Sequence, residues 1–352
     1  MGGISLGANA QDFEIKKENK VEVTPVKNQY RTGTCWSFAT TSFIESELLR
    51  MGKGTFDLSE MYFVRYAYLN KAKRYMRYHG VANFSQGGQA HDVMNVLRDY
   101  GMVTNESYTG LNYGTTKHDH YSEMEPMLKG ALDGIAKGKV KRLTPTWELG
   151  FAGILDAYLG KAPSKITVNN KEVTPVEFAK EMGINANDYI EITSYEAYPF
   201  YEKVNLEVPD NWSDDLYYNL PAEDMMKVMN YALENGYSIC WDGDVSERQF
   251  SHKSGYAKLQ MSLEGKNIDK VRQDTFDDWT STDDHLMHVV GTSYDKDGNK
   301  YFITKNSWGE KSNSFGGYLH MSDDYVKIKT VAFMIHKDAL PKDIAKKLFK
   351  KN

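Results

Sequence analysis

The spacing of hydrophobic residues changes along the chain, from a helical period in the first part to strand-like runs in the last third. Apolar residues recur every three or four positions from Cys35 to near Gly52, from Asp57 to about Arg77 and over 221–235, which predicts helices with one buried face. Near the end, LMHVVGTSY, KYFITKN and GGYLHM are short or alternating apolar runs, which predict strands. We therefore predict an α+β fold with a helical half, a β-rich half and a cleft between them.

Two local patterns precede or open these elements. Residues 21–26 alternate apolar and polar side chains, which predicts a short edge strand. Asp57 is followed three residues later by Glu60, which predicts a capping box at the start of the second helix.

Residues 110–200 show mainly helical spacing with polar links, which predicts an insertion that decorates the helical half. Within it, Thr174 and Glu177 predict a capping box that opens a helix. His118 and His120 are too few to predict a metal site, because no third and fourth ligand follow at suitable spacing.

Cys35 is chemically unusual because it lies in the first turn of a predicted helix, two residues after Gly33. The unpaired N–H groups and the positive end of the helix dipole can lower the pKa of a thiol from about 8.5 toward the thiolate that attacks carbonyls. Gln29 lies six residues earlier, where its amide would meet the oxyanion of an attacked peptide bond. The alternative is that Cys35 is a small apolar residue in a buried helix.

A cysteine nucleophile needs a base, and the base needs a group that orients it. The run DDHLMHVVGTSYD supplies His285 and His288, and YFITKNSWGE supplies Asn306 followed by the indole of Trp308. The positions 285 and 288 differ by an odd number, so along a strand the two histidines face opposite sides and cannot both reach one thiol.

Four motifs occur in a fixed order: Gln29, Cys35-Trp36, Asp284-His285 and Asn306-Ser307-Trp308-Gly309. In this order they resemble the papain-like cysteine peptidases. Further strings, including GGQAHDVMNVLRDYGMV and NSWGE, are similar to the bleomycin hydrolase and aminopeptidase C branch, over most of residues 21–345. The resemblance implies a papain-like two-lobed fold in which the helical lobe carries the nucleophile and the β-rich lobe carries histidine and asparagine.

The resemblance also implies a catalytic role for four residues. Cys35 would be the nucleophile, His285 would take its proton, and Asn306 would orient the imidazole. Gln29 and the backbone N–H of Cys35 would hold the oxyanion. These roles describe a peptidase that works through a thioester acyl-enzyme.

Gly87, Gly88 and Trp308 are the substrate-binding residues that the resemblance implies. The two glycines match the edge along which the non-primed backbone of a substrate lies, and their lack of a side chain lets a peptide approach. Trp308 is also expected to keep water from the contact between His285 and Asn306. For the two glycines the alternative is a plain loop without a binding role. For Trp308 it is ordinary packing in the core.

Two other functions remain open. A catalytically silent relative would bind peptides through the same cleft, although loss of catalysis normally shows as a replaced catalytic residue and the set is complete here. A thiol acyltransferase of the transglutaminase type would use the same thiol–imidazole chemistry, but it usually has an aspartate where this chain has Asn306.

Composition limits which partners the chain is expected to bind. The chain has 352 residues, of which 41% are hydrophobic, so it can bury a sizeable core, and its formal charge of −5 gives no electrostatic case for nucleic acid. No run of 18 apolar residues predicts a membrane span. We expect no cofactor, no metal and no disulfide, with Cys240 as a buried strand residue. The expected partner is a peptide or protein substrate, and the sequence does not define the oligomeric state.

The predicted division of the chain is a signal-peptide remnant at 1–10, a peptidase domain at 11–345 and a basic tail at 336–352. Within the peptidase domain we expect a helical lobe at about 31–109, the insertion at about 110–200 and a β-rich lobe at about 237–335. Ala8-Asn9-Ala10 has the form of a signal-peptidase site, although a basic region and a longer apolar core are missing. We therefore expect a periplasmic or secreted protein, with a cytoplasmic location as the alternative.

The tail also predicts the mode of cleavage. In the aminopeptidase branch a C-terminal arm lies in the cleft and its carboxylate pairs with the free amine of the substrate. Here the tail predicts a short surface helix after Pro341 that ends before it could return to Cys35. We therefore expect a cleft that is open past Gly87 and Gly88, and internal cleavage in addition to removal of N-terminal residues. The segment between Cys35 and His285 is also shorter than in that branch, so its ring-shaped assembly is not implied.

Overall fold

The computed structural model describes residues 15–119, 122–138 and 140–349. The predicted export signal at 1–10 lies outside these residues. In the described part the helices are α1 (Cys35–Arg50), α2 (Glu60–Arg77), α3 (Ala90–Tyr100), α4 (Met124–Ala136), α5 (Thr146–Leu159), α6 (Pro175–Met182), α7 (Ala222–Glu234), α8 (Ile268–Asp277), α9 (Asp323–Lys329) and α10 (Lys342–Leu348). The strands are β1 (Ile15–Lys20), β2 (Ile166–Val168), β3 (Lys171–Val173), β4 (Tyr189–Thr193), β5 (Lys203–Asn205), β6 (Leu216–Asn219), β7 (Ile239–Gly243), β8 (Phe250–Ser251), β9 (Tyr256–Ala257), β10 (His285–Asp295), β11 (Lys300–Lys305), β12 (Tyr318–Ser322) and β13 (Thr330–His336).

A large mixed sheet organises the β-rich half. Its strands follow the order β5-β6-β4-β13-β7-β10-β11-β12-β9-β8, and β1 pairs with β10 outside this path. Neighbours are antiparallel except β4 with β6 and β9 with β12. The strand that begins with His285 therefore lies beside β11, which leads directly into Asn306.

The central strands separate two hydrophobic cores. Cys240 and Leu286 pack on the face that meets α1 to α6. Trp241 and Met287 pack on the other face, with α7, α9 and α10. Because both faces are covered, β7 and the first part of β10 are continuous buried runs. The predicted helical and β-rich halves thus meet where α1 lies on the sheet. No helix within the described ranges is long and apolar enough to cross a membrane.

The predicted edge strand at 21–26 is wrong. The first strand is β1, which pairs with the far end of β10, and residues 21–26 form no strand. Thr24 is buried in this segment, and its hydroxyl donates to the carboxylate of Glu45 at 2.5 Å. The segment is therefore held at Thr24 by a side-chain contact with α1, and not by pairing with another strand as predicted.

The second helix is capped by Ser59 and not by the predicted Asp57. The hydroxyl of Ser59 accepts the backbone N–H of Tyr62 at 3.2 Å. Asp57 and Glu60 each bind the ammonium group of Lys27 at 2.6 Å instead. The two carboxylates that were predicted to cap the second helix therefore bind Lys27 and fix the segment before α1.

Residues 110–200 are only partly helical. The predicted capping box is confirmed, since Glu177 N–H donates to the Thr174 hydroxyl at 3.2 Å and Thr174 N–H donates to the Glu177 carboxylate at 2.8 Å. However, the segment also contains the hairpin β2–β3 and the strand β4, which joins the main sheet beside β13. A short apolar run such as YIEIT does not distinguish helix from strand by spacing alone.

Candidate active site

Cys35 is the first residue of α1, as predicted, and its side chain is half-buried. The helix is more enclosed than its one apolar face indicated, because its polar side is buried too. Ser42 contacts the imidazole of His288 at 2.9 Å, and Thr40 contacts the sulfur of Cys240 at 3.4 Å. Two polar side chains of α1 therefore have partners on the strands of the sheet.

Gln86 holds the loop in front of Cys35. Its side-chain oxygen accepts the N–H of Gly33 at 2.7 Å, and its carbonyl accepts the indole N–H of Trp36 at 2.9 Å. A Cβ on Gly33 would lie 2.8 Å from the Cβ of Gln86, so a glycine is required for this approach. The loop at 85–89 was predicted, but this role of Gln86 was not, because its partners lie about fifty residues away in sequence.

The structure brings His285 and Asn306 together. The imidazole Nε2 lies 2.8 Å from the amide Oδ1, and the ring of Trp308 lies 5.0 Å from that of His285, tilted by 30°. The amide Nδ2 of Asn306 donates to Nδ1 of His252 at 3.1 Å, and the His252 ring lies 4.7 Å from Trp308. Since Nε2 of His285 is engaged, Nδ1 is the ring nitrogen left to accept a proton.

His252 is a further residue of this cluster, and nothing in the sequence pattern pointed to it. Its Nε2 contacts the hydroxyl of Ser312 at 2.7 Å, which leaves Nδ1 as the acceptor for the amide of Asn306. This contact fixes the rotation of the Asn306 amide, so that its oxygen faces His285.

Gln29 is tied to the residue after Asn306. Its backbone N–H donates to the carbonyl of Ser307 at 2.8 Å, and its side-chain oxygen accepts the Ser307 hydroxyl at 2.5 Å. Its amide nitrogen donates to the carbonyl of Thr32 at 2.7 Å. An amide carries two N–H groups, so this contact leaves one donor for a substrate.

Burial disfavours the charged form of both the thiol and the imidazole. Burial raises the pKa of Cys35 to about 12, although the backbone N–H of Leu286 lowers it, and nearby carboxylates raise it further. Burial lowers the pKa of His285 to about 4, while the contact with Asn306 raises it. Burial therefore acts against the thiolate that the helix start favours, and the activated thiolate stays a prediction.

The two glycines that are predicted to bind substrate, Gly87 and Gly88, lie in more crowded surroundings than expected. A Cβ on Gly88 would lie 2.6 Å from the carboxylate of Asp92 and 3.1 Å from the ring of Trp36. At Gly87 the same position is filled by the carboxylate of Asp210. Asp210, in the β5–β6 connection, therefore covers one side of Gly87, and a cleft open past both glycines stays a prediction.

The other histidines and Cys240 lie apart from this cluster. His288 is fully buried against Ser42, two turns along α1 from Cys35, and Cys240 is 1% exposed. His118 packs edge-on against Phe38, and burial lowers its pKa to about 4; His120 lies outside the described residues. Within the described ranges, no three His, Cys, Asp or Glu side chains are placed to hold a metal ion.

Known proteins are similar to this chain in sequence and in fold. Residues 162–352 match the Peptidase C1-like family, and residues 9–144 match the papain family cysteine protease family. Aminopeptidase G of Lactobacillus delbrueckii subsp. lactis is 23% identical, over 90% of this chain and 82% of that protein. Cysteine proteinase 1, mitochondrial, of Saccharomyces cerevisiae is 22% identical, over 94% of this chain and 80% of that protein. The crystal structure of pepW from Lactobacillus rhamnosis HN001 has the same fold, with a TM-score of 0.74 at 20% identity, covering 96% of this chain and 84% of that one.

These matches define a cysteine-type peptidase with a papain-like fold. More particularly, because the first family match covers more than half of the chain, the chain belongs to the Peptidase C1-like family. The predicted resemblance to papain-like cysteine peptidases is thereby confirmed.

Proposed function

We propose that the chain hydrolyses peptide bonds with Cys35 as nucleophile, His285 as base and acid, and Asn306 as the group that orients the imidazole. The sulfur attacks the substrate carbonyl while Nδ1 of His285 takes the thiol proton. Gln29 and the backbone N–H of Cys35 hold the oxyanion. The tetrahedral intermediate then expels the amine, which takes the proton from His285, and water hydrolyses the thioester.

The contact between His285 and Asn306 is the observation that carries this proposal. It engages Nε2 and leaves Nδ1 as the proton acceptor. The backbone N–H of Leu286, the residue after His285, forms a hydrogen bond with the sulfur of Cys35. The proton acceptor on His285 and the thiol of Cys35 therefore lie near each other in one cleft.

The names of the relatives and the position of the C-terminal helix support a mode of cleavage. Two of the similar proteins carry the names Aminopeptidase G and Aminopeptidase E, so removal of N-terminal residues is the first activity to expect. In this chain, α10 buries Ile344 in the core beside α7, and Phe349 packs on Tyr218 at 5.7 Å. These C-terminal residues contact the outer side of the sheet. We infer that internal cleavage of N-terminally blocked peptides accompanies aminopeptidase activity, because α10 packs on the side of the sheet away from α1 and Cys35.

Digestion of one peptide in two forms tests this function. The purified protein is incubated with the unblocked and the N-acetylated peptide, and the fragments are identified by mass. Wild-type protein and the Cys240→Ala control should cleave both forms, whereas Cys35→Ala should cleave neither. Release of single residues from the unblocked form alone would restrict the function to an aminopeptidase. Cleavage by Cys35→Ala would overturn the assignment of the nucleophile.

A further inference from the structure

A buried lysine lies beside the loop that carries Gly87 and Gly88. Lys71 is on α2 and is 1% exposed, so its ammonium group is removed from bulk water. The ammonium group donates to the carbonyl of Ser85 at 3.1 Å and to the carbonyl of Gly87. Burial of a charged group is costly unless its donors find acceptors, so the lysine and these two loop carbonyls hold each other in place.

The remaining carbonyls of this loop also have partners, with one exception. The carbonyl of Gln86 accepts the indole N–H of Trp36 at 2.9 Å, and the carbonyl of Gln89 accepts the N–H of Asp92 at 3.1 Å. Gly88 is buried, yet neither its carbonyl nor its N–H has a hydrogen-bond partner in the described part of the chain. Buried backbone groups are nearly always paired. Gly88 therefore presents one donor and one acceptor that are left for a ligand.

The direction of the Gly88 N–H follows from peptide geometry. Within the described ranges no peptide bond is cis, and in a trans peptide the carbonyl of one residue and the N–H of the next point in opposite directions. Lys71 holds the carbonyl of Gly87 toward α2, so the N–H of Gly88 points away from α2. A Cβ on Gly88 would lie 3.1 Å from the ring of Trp36, the residue after Cys35, so this N–H lies beside the nucleophile.

Trp212 covers the lysine and joins it to the other end of the loop. Its ring lies 5.6 Å from the ammonium group of Lys71, and its indole N–H donates to the carboxylate of Asp92 at 2.8 Å. The same carboxylate oxygen accepts the backbone N–H of Gln89 at 2.9 Å. The loop is therefore fixed on both sides of Gly88. A peptide that binds to a loop held in this way does not have to order it, which favours binding.

We propose that Lys71 is a positioning residue for substrate binding. It turns the peptide group between Gly87 and Gly88 so that the N–H of Gly88 faces the cleft and donates to a backbone carbonyl of the substrate. The inference rests on the proposed peptidase function and adds the group that orients the substrate-binding loop. Because Lys71 acts through the loop, its loss should weaken recognition of a peptide and leave the intrinsic reactivity of the Cys35 thiol unchanged.

Two reagents that modify Cys35 separate peptide recognition from thiol reactivity. Acetyl-norleucyl-glycyl chloromethyl ketone carries a peptide backbone that reaches the loop, whereas iodoacetamide carries none. The rate constant for labelling Cys35 with each reagent is measured by peptide mapping and divided by that for free cysteine. The ratio of the two normalised rate constants should be well above one for wild-type protein. In Lys71→Met, which keeps the length of the side chain but lacks the donors, this ratio should fall about three- to tenfold, the effect of losing one hydrogen bond.

Two further variants complete the experiment. Lys71→Arg retains the cationic donors and should recover part of the loss. Lys73→Met is the matched control and should keep the wild-type ratio, because Lys73 lies on the opposite side of α2 and pairs with Glu148 at 3.6 Å. A wild-type ratio in Lys71→Met, or an equal slowing of both reagents in that variant, would overturn the role of Lys71. A ratio of one for wild-type protein would show that the cleft does not recognise a peptide, and the proposed function would then fail together with the inference.

Discussion

The imidazole Nε2 of His285 and the amide Oδ1 of Asn306 lie 2.8 Å apart, and this contact determines which ring nitrogen is available for chemistry. The amide is held from its other end by His252, and the ring of Trp308 lies between the two histidines. In the proposed mechanism, proton transfer from Cys35 therefore depends on a chain of oriented groups that begins at His252.

The two histidines of β10 should behave differently when mutated. We expect His285→Ala to lower kcat by about 10²–10⁴-fold, because the general base is lost. His288→Ala should keep most of the activity per folded molecule, since His288 contacts Ser42 and not the reacting groups. Steady-state kinetics with circular dichroism as a check of folding distinguishes them. The reverse pattern would make His288 the base.

Gln29→Ala should lower kcat by about 10²–10³-fold with little change in KM, because one oxyanion donor is removed. Gln29→Glu keeps the acceptor for the Ser307 hydroxyl but lacks the donor, so it should be as slow as Gln29→Ala. An effect confined to KM in both variants would move Gln29 from the oxyanion site to substrate binding.

An epoxysuccinyl probe should label Cys35 well before Cys240. Cys35 is half-buried at the cleft, whereas Cys240 is 1% exposed and contacts Thr40 at 3.4 Å. Peptide mapping after brief exposure to the probe measures both sites. Equal labelling of the two thiols in folded protein would contradict the assignment.

His252 should act through Asn306. We expect His252→Ala to lower kcat by about three- to tenfold, the effect of losing one orienting hydrogen bond. His252→Asn, whose amide oxygen can accept the same bond, should recover part of the loss. His336→Ala, a histidine of β13 outside the cluster, serves as the control. Equal kinetics for His252→Ala and the control would remove His252 from the active site.

The sequence was most informative where function depends on short motifs. The helix that starts at Cys35, the strand that starts at His285 and the position of Asn306 after β11 follow from local spacing, and the structure has all three. The order of the motifs also led to the papain-like fold before any contact was known.

Contacts between residues distant in sequence could not be predicted from local spacing. Gln86 reaches Gly33, and His252 reaches Asn306, across about fifty residues each, and neither residue type is unusual in its own segment. The burial of Cys35, which raises the pKa of its thiol, was likewise not visible in the helix pattern.

The central claim is that Cys35 carries the acyl group during turnover, and mass spectrometry of acid-quenched protein tests it most directly. The enzyme is mixed with an activated peptide ester, quenched within the first turnovers, and its intact mass is measured before peptide mapping. We predict a mass increase equal to the acyl part of the ester, located on Cys35 and absent from Cys35→Ala. Turnover of the ester without an adduct on Cys35, at the same rate in wild type and Cys35→Ala, would contradict the account.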